Sequence, residues 1–236
     1  RKLLHYKFHN RGMPENNDIL SQLLRNRKSI ANLLGYDTYS DLNIENSMAK
    51  SKDAVLKFEN MLLSKISKKA NYDTKELIKL KNQRKSNENN EIFSWDKYYY
   101  ENKLLINKYN VNSEIVKEYF KLENVLEGLF TISKLLFNIN IIQVENPSVW
   151  HKDVMMFNVY DINNNAIIAK FYLDLFPREN KYQHAAAFSI INGKKIKSAY
   201  QLPISSLVCN FPNPTAIRPS LLLHDDVETL FHEFGH

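Results

Sequence analysis

The stretch DVETLFHEFGH, residues 226–236, contains the pattern H-E-x-x-H and decides how the rest of the chain is interpreted. On an α-helix, residues four apart lie on one face, so His232 and His236 can bind the same metal ion. Zinc accepts imidazole ligands and keeps an open position in catalytic sites. Glu233 follows the first histidine and can accept a proton from a water molecule that attacks a peptide carbonyl. The motif therefore predicts a zinc-dependent hydrolytic site, with His232 and His236 as metal ligands and Glu233 as the catalytic base.

An accidental match to this pattern is rare. A random chain with seven histidines in 236 residues would contain it on the order of one time in a hundred. The alternative interpretation is a pair of solvent-exposed histidines on a helix. A catalytic zinc site also needs a third protein ligand, which the motif does not contain. Because His151, His184 and His224 have no partner at the spacing of metal ligands, we interpret them as surface or cleft histidines.

Two acidic residues precede the motif on the same predicted helix. Asp225 is predicted to cap the N-terminus, and Glu228 follows three residues later at capping-box spacing. Glu228 also lies four residues before His232, where its carboxylate could orient that histidine. Both roles are open for Glu228. The buried side of the helix is predicted to comprise Val227, Leu230, Phe231 and Phe234.

Helical periodicity dominates the first part of the chain. We predict helices over residues 1–35, within 36–48, from Ser51 to about 70, from about 75 to Arg84, over 95–108 and over 122–136. Asn16–Asp18 and Ser51 are predicted N-terminal caps, and Gly35 stands where a left-handed residue ends a helix. Residues 71–74 are predicted to form a turn, and the polar residues 85–91 a loop.

Strand patterns begin after residue 138. The β-rich runs are 139–144, 154–160, 167–175, 185–191 and 206–211. Residues 161–165, DINNN, form a good turn sequence between the second and third of these runs. The predicted fold class is therefore mainly α, of α+β type, with helices first, then a small sheet, then the motif helix. The predicted division is residues 1–138, a helical part, and residues 139–236, the sheet with the active-site helix.

Composition narrows the function classes. The net charge is +6, but the Lys-rich segment 65–85 is best interpreted as a solvated helix face, and no nucleic-acid motif accompanies it. We therefore expect no nucleic-acid partner. No apolar run approaches the length of a membrane span, so no membrane partner is expected either. The single cysteine, Cys209, excludes a disulfide scaffold. The compartment is undetermined between the cytoplasm and an organellar lumen or matrix.

Several longer stretches carry a family resemblance. Residues 171–186 (FYLDLFPRENKYQHAA), 209–215 (CNFPNPT) and 219–236 closely resemble the thimet oligopeptidase and neurolysin family, and residues 95–100 (WDKYYY) fit it too. The resemblance implies a mostly helical, two-lobed zinc endopeptidase that cuts short peptides in a deep channel. It implies that His232 and His236 hold the zinc with a glutamate from a following helix, which would lie beyond residue 236, and that Glu233 is the general base.

The same resemblance implies an edge strand beside the active-site helix that binds the peptide backbone. Ala185–Phe188 is the first candidate for this strand, and Leu207–Phe211 is the second. Gln183 departs from the glycine that many relatives have before the His-Ala-Ala segment. A bulkier residue there could narrow the cleft or stiffen the turn.

The leading hypothesis is a zinc-dependent oligopeptidase, one Zn²⁺ per complete catalytic domain, acting on short peptides as a monomer. Because the sequence begins with Arg1 and ends within the motif, we expect a fragment that stops at the start of a zincin-type active-site helix. The isolated fragment is expected to be inactive. The alternative hypothesis is a non-catalytic fragment or degenerate homologue that acts as a scaffold.

Overall fold

The computed structural model describes residues 1–83 and 91–236. The chain divides into two compact units, Arg1–Asn110 and Val111–His236. The predicted helix end at Arg84 and most of the predicted loop fall outside the described residues. The predicted division at residue 138 separates the helical part from the sheet and the motif helix. It is a different kind of division from these compact units, and it stays a prediction.

The first unit is helical. Its helices are α1 (Lys2–His9), α2 (Asn16–Leu33), α3 (Tyr39–Ile44), α4 (Lys52–Asn82) and α5 (Lys97–Tyr109). The predicted end of α2 and the predicted start of α4 follow ordinary helix-capping chemistry. Gly35 adopts a φ of 84° just after α2, and Ser51 Oγ accepts a hydrogen bond from the Ala54 amide at 3.2 Å, so both predictions are confirmed.

Three predictions about helix boundaries in this unit were wrong. The segment 1–35 is two helices, because residues 10–15 interrupt it with Gly12 at a φ of 75° and with Pro14. Asn16–Asp18 lie inside the first turn of α2 rather than capping it. The predicted turn at residues 71–74 is absent, and α4 is continuous there. Thr74 Oγ1 bonds to the Ala70 carbonyl of its own helix at 2.8 Å, so this polar residue is accommodated without a break.

The second unit begins with short helical turns and then builds a sheet. Its helices are α6 (Ser113–Val116), a 3₁₀ turn (Lys117–Tyr119), α7 (Leu122–Phe137) and α8 (His224–Gly235). Its strands are β1 (Ile139–Gln143), β2 (Met155–Asp161), β3 (Ile167–Asp174), β4 (Ala186–Ile191), β5 (Lys194–Ile196), β6 (Ala199–Gln201) and β7 (Ile204–Val208). The α+β fold class, with helices before the sheet, is confirmed.

Five strands form one mixed sheet in the order β1-β2-β3-β7-β4, and β5 pairs with β6 in a separate ribbon. Only the β3–β7 pair of the larger sheet is parallel. Strand β4, which carries the first candidate for the peptide-binding edge, is an edge strand. The second candidate, Leu207–Phe211, is wrong as an edge, because its first two residues belong to β7, which lies between β3 and β4.

One face of this sheet forms the core of the second unit. Phe157 and Phe171 pair across β2 and β3, with stacked rings 5.2 Å apart. Helix α7 packs on them through its apolar face, and α8 contributes the fully buried Leu230. Burial of aromatic and branched side chains on one sheet face stabilises the unit and fixes where α8 lies.

Candidate metal centre

Helix α8 carries the H-E-x-x-H motif, and a hydrogen bond between a backbone amide and a carboxylate caps its N-terminus. The helix starts at His224, and the amide of Leu223 donates to Asp226 Oδ2 at 2.8 Å. The predicted cap, Asp225, is wrong, because Leu223 adopts the extended cap conformation and places Asp226, three residues on, where a side chain reaches back. Asp225 and Asp226 lie in the first turn, where their negative charges interact favourably with the helix dipole.

Apolar packing sets the rotation of α8. Leu230 is fully buried, and Val227, Phe231 and Phe234 pack partly buried against the same core, as predicted. The rings of Phe234 and Phe171 meet edge to face at 5.7 Å. With this side held by the sheet, the two motif histidines remain exposed on the other side of the helix.

The two motif histidines converge. Their Nε2 atoms lie 3.2 Å apart, and their ring planes are nearly perpendicular at 88°. Two nitrogens bound to one tetrahedral zinc at about 2.0–2.1 Å lie about 3.3–3.4 Å apart. The separation of the Nε2 atoms therefore fits a shared zinc ion.

Glu233 occupies the adjoining wall of a cavity. This half-buried side chain and His236 line a space of about 450 Å³ over the face of the sheet. All five strands of the sheet contribute to its lining, and β4 does so through Ala187, Phe188 and Ser189. The carboxylate, one motif histidine and the edge strand β4 therefore border the same space.

Cys209 is a buried thiol in the same apolar core as Leu230 of α8. Burial raises the pKa of its thiol to about 12, and the negative charge of Glu233 adds to the rise. The thiol therefore stays protonated at neutral pH, whereas a nucleophile needs the thiolate.

Glu228 takes neither of the roles considered for it. Asp226, not Glu228, completes the helix cap. Among the described residues, no hydrogen bond or ion pair joins Glu228 to His232. Its Oε1 atom instead lies 4.0 Å from Nδ1 of His224. His224, Asp225 and Glu228 form an exposed cluster whose donor atoms lie within 4.8 Å of one another. It is the sole such cluster of three in the described part of the chain, so no third donor accompanies the two motif histidines there.

The other two histidines make local contacts. His151 Nδ1 accepts a hydrogen bond from the Asp153 amide at 3.3 Å. The ring of His184 packs against Tyr182 at 5.7 Å. These contacts agree with their interpretation as surface or cleft residues.

Sequence reasoning missed a buried ionic network behind the site. Asp174, at the end of β3, is almost completely buried and receives two hydrogen bonds from Arg178, at 2.7 and 2.8 Å. Trp150 Nε1 donates a third at 2.9 Å. Burial by itself would raise the pKa of the Asp174 carboxyl, but the hydrogen bonds from Arg178, Trp150 and Lys181 outweigh it and lower the pKa to about 2.

Lys181 links this network to the strands around the site. Its Nζ atom lies 3.0 Å from Asp174 Oδ1 and donates to the carbonyls of Asp174, Phe176 and Cys209 at 2.9, 2.6 and 2.6 Å. The end of β3 is thereby tied to the segment after β7. The only signal in the sequence was the spacing of Asp174, Arg178 and Lys181, which indicated no particular structure by itself.

Comparison with known proteins agrees with this geometry. Residues 1–236 match Peptidase family M3 over their whole length. The chain belongs to peptidase family M3. It is 35% identical over 245 residues to the Thimet-like oligopeptidase of Dictyostelium discoideum, and the alignment covers 100% of this chain and 36% of that protein.

Two further M3 relatives show the same pattern of coverage. Saccharolysin of Saccharomyces cerevisiae is 37% identical over 95% of this chain and 33% of its own length. Oligopeptidase A of Haemophilus influenzae is 35% identical over 96% of this chain and 33% of its own length. The chain therefore spans about a third of the curated relatives it matches. The family resemblance predicted from residues 171–186 and 209–236 is confirmed.

Proposed function

We propose that the M3 protein containing this chain is a zinc-dependent endopeptidase of short peptides. The observation that carries the proposal is the 3.2 Å separation of the His232 and His236 Nε2 atoms, on a helix that turns Glu233 into the cavity beside β4. Membership of a peptidase family supports the same reaction class.

His232 and His236 would hold the zinc ion, each through Nε2. Zinc bound there would supply a Lewis acid that polarises the scissile carbonyl. The third protein ligand is expected to be a glutamate from outside residues 1–236, as the family resemblance implies. Two imidazoles and one carboxylate make a donor set that suits catalytic zinc.

Glu233 would act as general base and then as general acid. Its carboxylate takes a proton from the attacking water and passes it to the leaving amine of the cleaved bond. Its place in the cavity wall beside His236, one of the two proposed metal ligands, supports this role. This role needs the carboxylate, so the isosteric amide is the informative substitution.

The outer edge of β4 would bind the substrate backbone. An extended peptide can add to the free backbone groups of an edge strand, whatever its side chains are. Ala187, Phe188 and Ser189 of β4 share the cavity with Glu233, so a peptide held there has its backbone near the base. We propose short peptides as substrates because the relatives are named oligopeptidases.

The remaining features are proposals of the same kind. We propose a monomer with no nucleic-acid or membrane partner, in the cytoplasm or an organellar lumen or matrix. Across residues 1–83 and 91–236, no helix has the length and apolar character needed to cross a membrane.

The test uses a full-length protein that contains this chain. We expect about one zinc per molecule by elemental analysis, and cleavage of a quenched fluorescent peptide that stops with a chelator and returns with zinc. A full-length protein that binds no metal and cleaves no peptide would instead favour the scaffold alternative and overturn the proposal.

A further inference from the structure

The free edge of β4 continues beyond the cavity. The β4–β7 pairing ends at Ile191 and Ile204, and the β5–β6 pairing begins at Lys194 and Gln201. Strands β4 and β5 therefore form one arm of a long hairpin, and β6 and β7 form the other arm. Because β5 pairs only with β6 among the described residues, its outer edge extends the free edge of β4.

Side-chain contacts hold the base of this extension in place. Gln201 Nε2 donates to the Asn192 carbonyl at 2.9 Å, and Ser189 Oγ donates to Asn192 Oδ1 at 2.7 Å. A Cβ atom added at Gly193 would lie 2.5 Å from Tyr200 Oη, so the two arms approach closely there. The direction in which β5 and β6 leave the sheet is therefore fixed by packing at the base.

The extension carries a concentrated positive charge. Lys194, Lys195 and Lys197 are exposed, and residues 189–203 contain no acidic residue. No hydrogen bond or ion pair to the side chains of these lysines occurs in the part of the chain that the structure describes. Since consecutive strand residues point to opposite faces, Lys194 and Lys195 place a charge on each face of the edge. We call residues 194–201 the basic hairpin.

We propose that the basic hairpin is a substrate-selecting extension of the peptide-binding edge, and that it favours peptides with aspartate or glutamate side chains. This inference rests on the proposed function. A peptide lying along β4 at Ser189 would reach Lys194 about five residues further along, because both strands advance about 3.3 Å per residue. The occupant is thus an extended acidic peptide, matched to the site by charge and by continuity of the edge.

The competing explanation for these lysines is protection of an exposed edge. Charged residues, especially lysine, discourage strand edges from pairing with other molecules. That explanation predicts that removing the charges promotes self-association and leaves substrate preference unchanged. The two explanations therefore predict different ratios of kcat/KM for acidic and neutral peptides.

The test compares two quenched peptides of equal length in the full-length protein. They differ only by Glu or Gln at positions three to six residues from the scissile bond, placed on each side of that bond in turn. We expect kcat/KM to be about fivefold higher for the Glu peptide on one side, since two exposed ion pairs contribute on this scale. Added salt should reduce this ratio.

The decisive variant combines Lys194→Gln, Lys195→Gln and Lys197→Gln, and its ratio is expected to fall to about one. The matched control combines Lys57→Gln, Lys65→Gln and Lys68→Gln, which removes the same charge from exposed positions of α4 and should keep the wild-type ratio. A ratio near one in the wild type, or an unchanged ratio in the hairpin variant, overturns the inference while leaving peptidase activity standing.

Binding separates this inference from the proposed activity. Fluorescence anisotropy with the same two peptides, labelled and uncleaved, on the Glu233→Gln variant should show the same preference. If the wild type cleaves neither peptide but the binding preference is present and depends on the hairpin lysines, the peptidase proposal fails and the acidic-peptide surface is supported. Absence of both cleavage and preferential binding overturns both.

Discussion

The Nζ atom of Lys181 lies 3.0 Å from Oδ1 of Asp174, and these two side chains are only 3% and 5% exposed. This buried pair joins the end of β3 to the segment after β7, since the same ammonium group also bonds the Cys209 carbonyl. Cys209 is close enough to Glu233 for the charge of that carboxylate to affect its thiol. The network therefore holds Cys209, which lies in the same buried core as Leu230 of the motif helix.

The Lys181→Met substitution should destabilise the protein. Arg178 still pairs with Asp174 in this variant, but the carbonyls of Asp174, Phe176 and Cys209 lose the ammonium donor. Leaving buried acceptors unpaired is expected to cost about 1–3 kcal/mol of unfolding free energy. Chemical denaturation measures this loss. Lys152→Met, at an exposed position, is the control and should change stability by about 0.5 kcal/mol or less. Similar stabilities for the two variants would contradict the role assigned to the network.

Asp174 should make stability depend on pH in the acid range. Its pKa is about 2 in the folded chain and 3.8 ordinarily, so the folded state favours the ionised form. The resulting stabilisation, about 2 kcal/mol, is present above pH ~4 and is lost as the pH falls toward 2. Denaturation of the wild type and Asp174→Asn at neutral pH and at pH 3 should show that only the wild type loses this contribution, about 1 kcal/mol by pH 3. Parallel pH profiles would argue against it.

Glu233→Gln should abolish most turnover without removing the metal. General base catalysis contributes about 10²–10⁴-fold to rate, and glutamine cannot accept the proton. Peptide cleavage and zinc content are measured on the same full-length preparation. Glu59→Gln, at an exposed position of α4, is the control and should retain activity. A Glu233→Gln variant with near wild-type kcat would eliminate Glu233 as the base.

His232→Ala and His236→Ala should each lower zinc content and activity together. The two Nε2 atoms are 3.2 Å apart, so each variant removes one of two converging ligands. Elemental analysis after dialysis against a weak chelator distinguishes loss of zinc from loss of catalysis alone. His151→Ala is the control, because His151 contacts Asp153 locally. Full zinc occupancy in either motif variant would place the metal elsewhere.

Residues 1–236 by themselves should show no chelator-sensitive cleavage. In the described part of this chain, no third His, Cys, Asp or Glu donor accompanies the two motif histidines, and catalytic zinc has three protein ligands. The measurement is a quenched-peptide assay on the isolated chain with zinc added, beside the full-length protein as the positive control. Chelator-sensitive activity in the isolated chain would contradict the prediction.

Local patterns carried most of the correct predictions. The Ser51 cap, the glycine after α2 and the turn at residues 161–165 each depend on a few neighbouring residues whose chemistry is legible in sequence. Predicted helix boundaries were wrong where polar residues indicated a turn but the helix continued. Residues 71–74 contain a good turn composition, yet they continue α4, because polar residues such as Thr74 satisfy their hydrogen bonds within the helix.

The sequence by itself determined the family, the fold class and the motif that predicts the metal site, because i and i+4 spacing on a helix follows from covalent geometry. Only the tertiary structure decided that β4 rather than β7 is the free edge, that Asp226 rather than Asp225 completes the helix start, and that Glu233 borders the same cavity as β4. The same holds for the Asp174–Lys181 network and for the edge shared by β4 and β5. The strand order and the shared cavity join residues distant in the chain, and the packing that brings them together leaves no local signal in the sequence. The helix start and the Asp174–Lys181 contact join nearby residues, but several spacings were possible locally and the fold selected one of them.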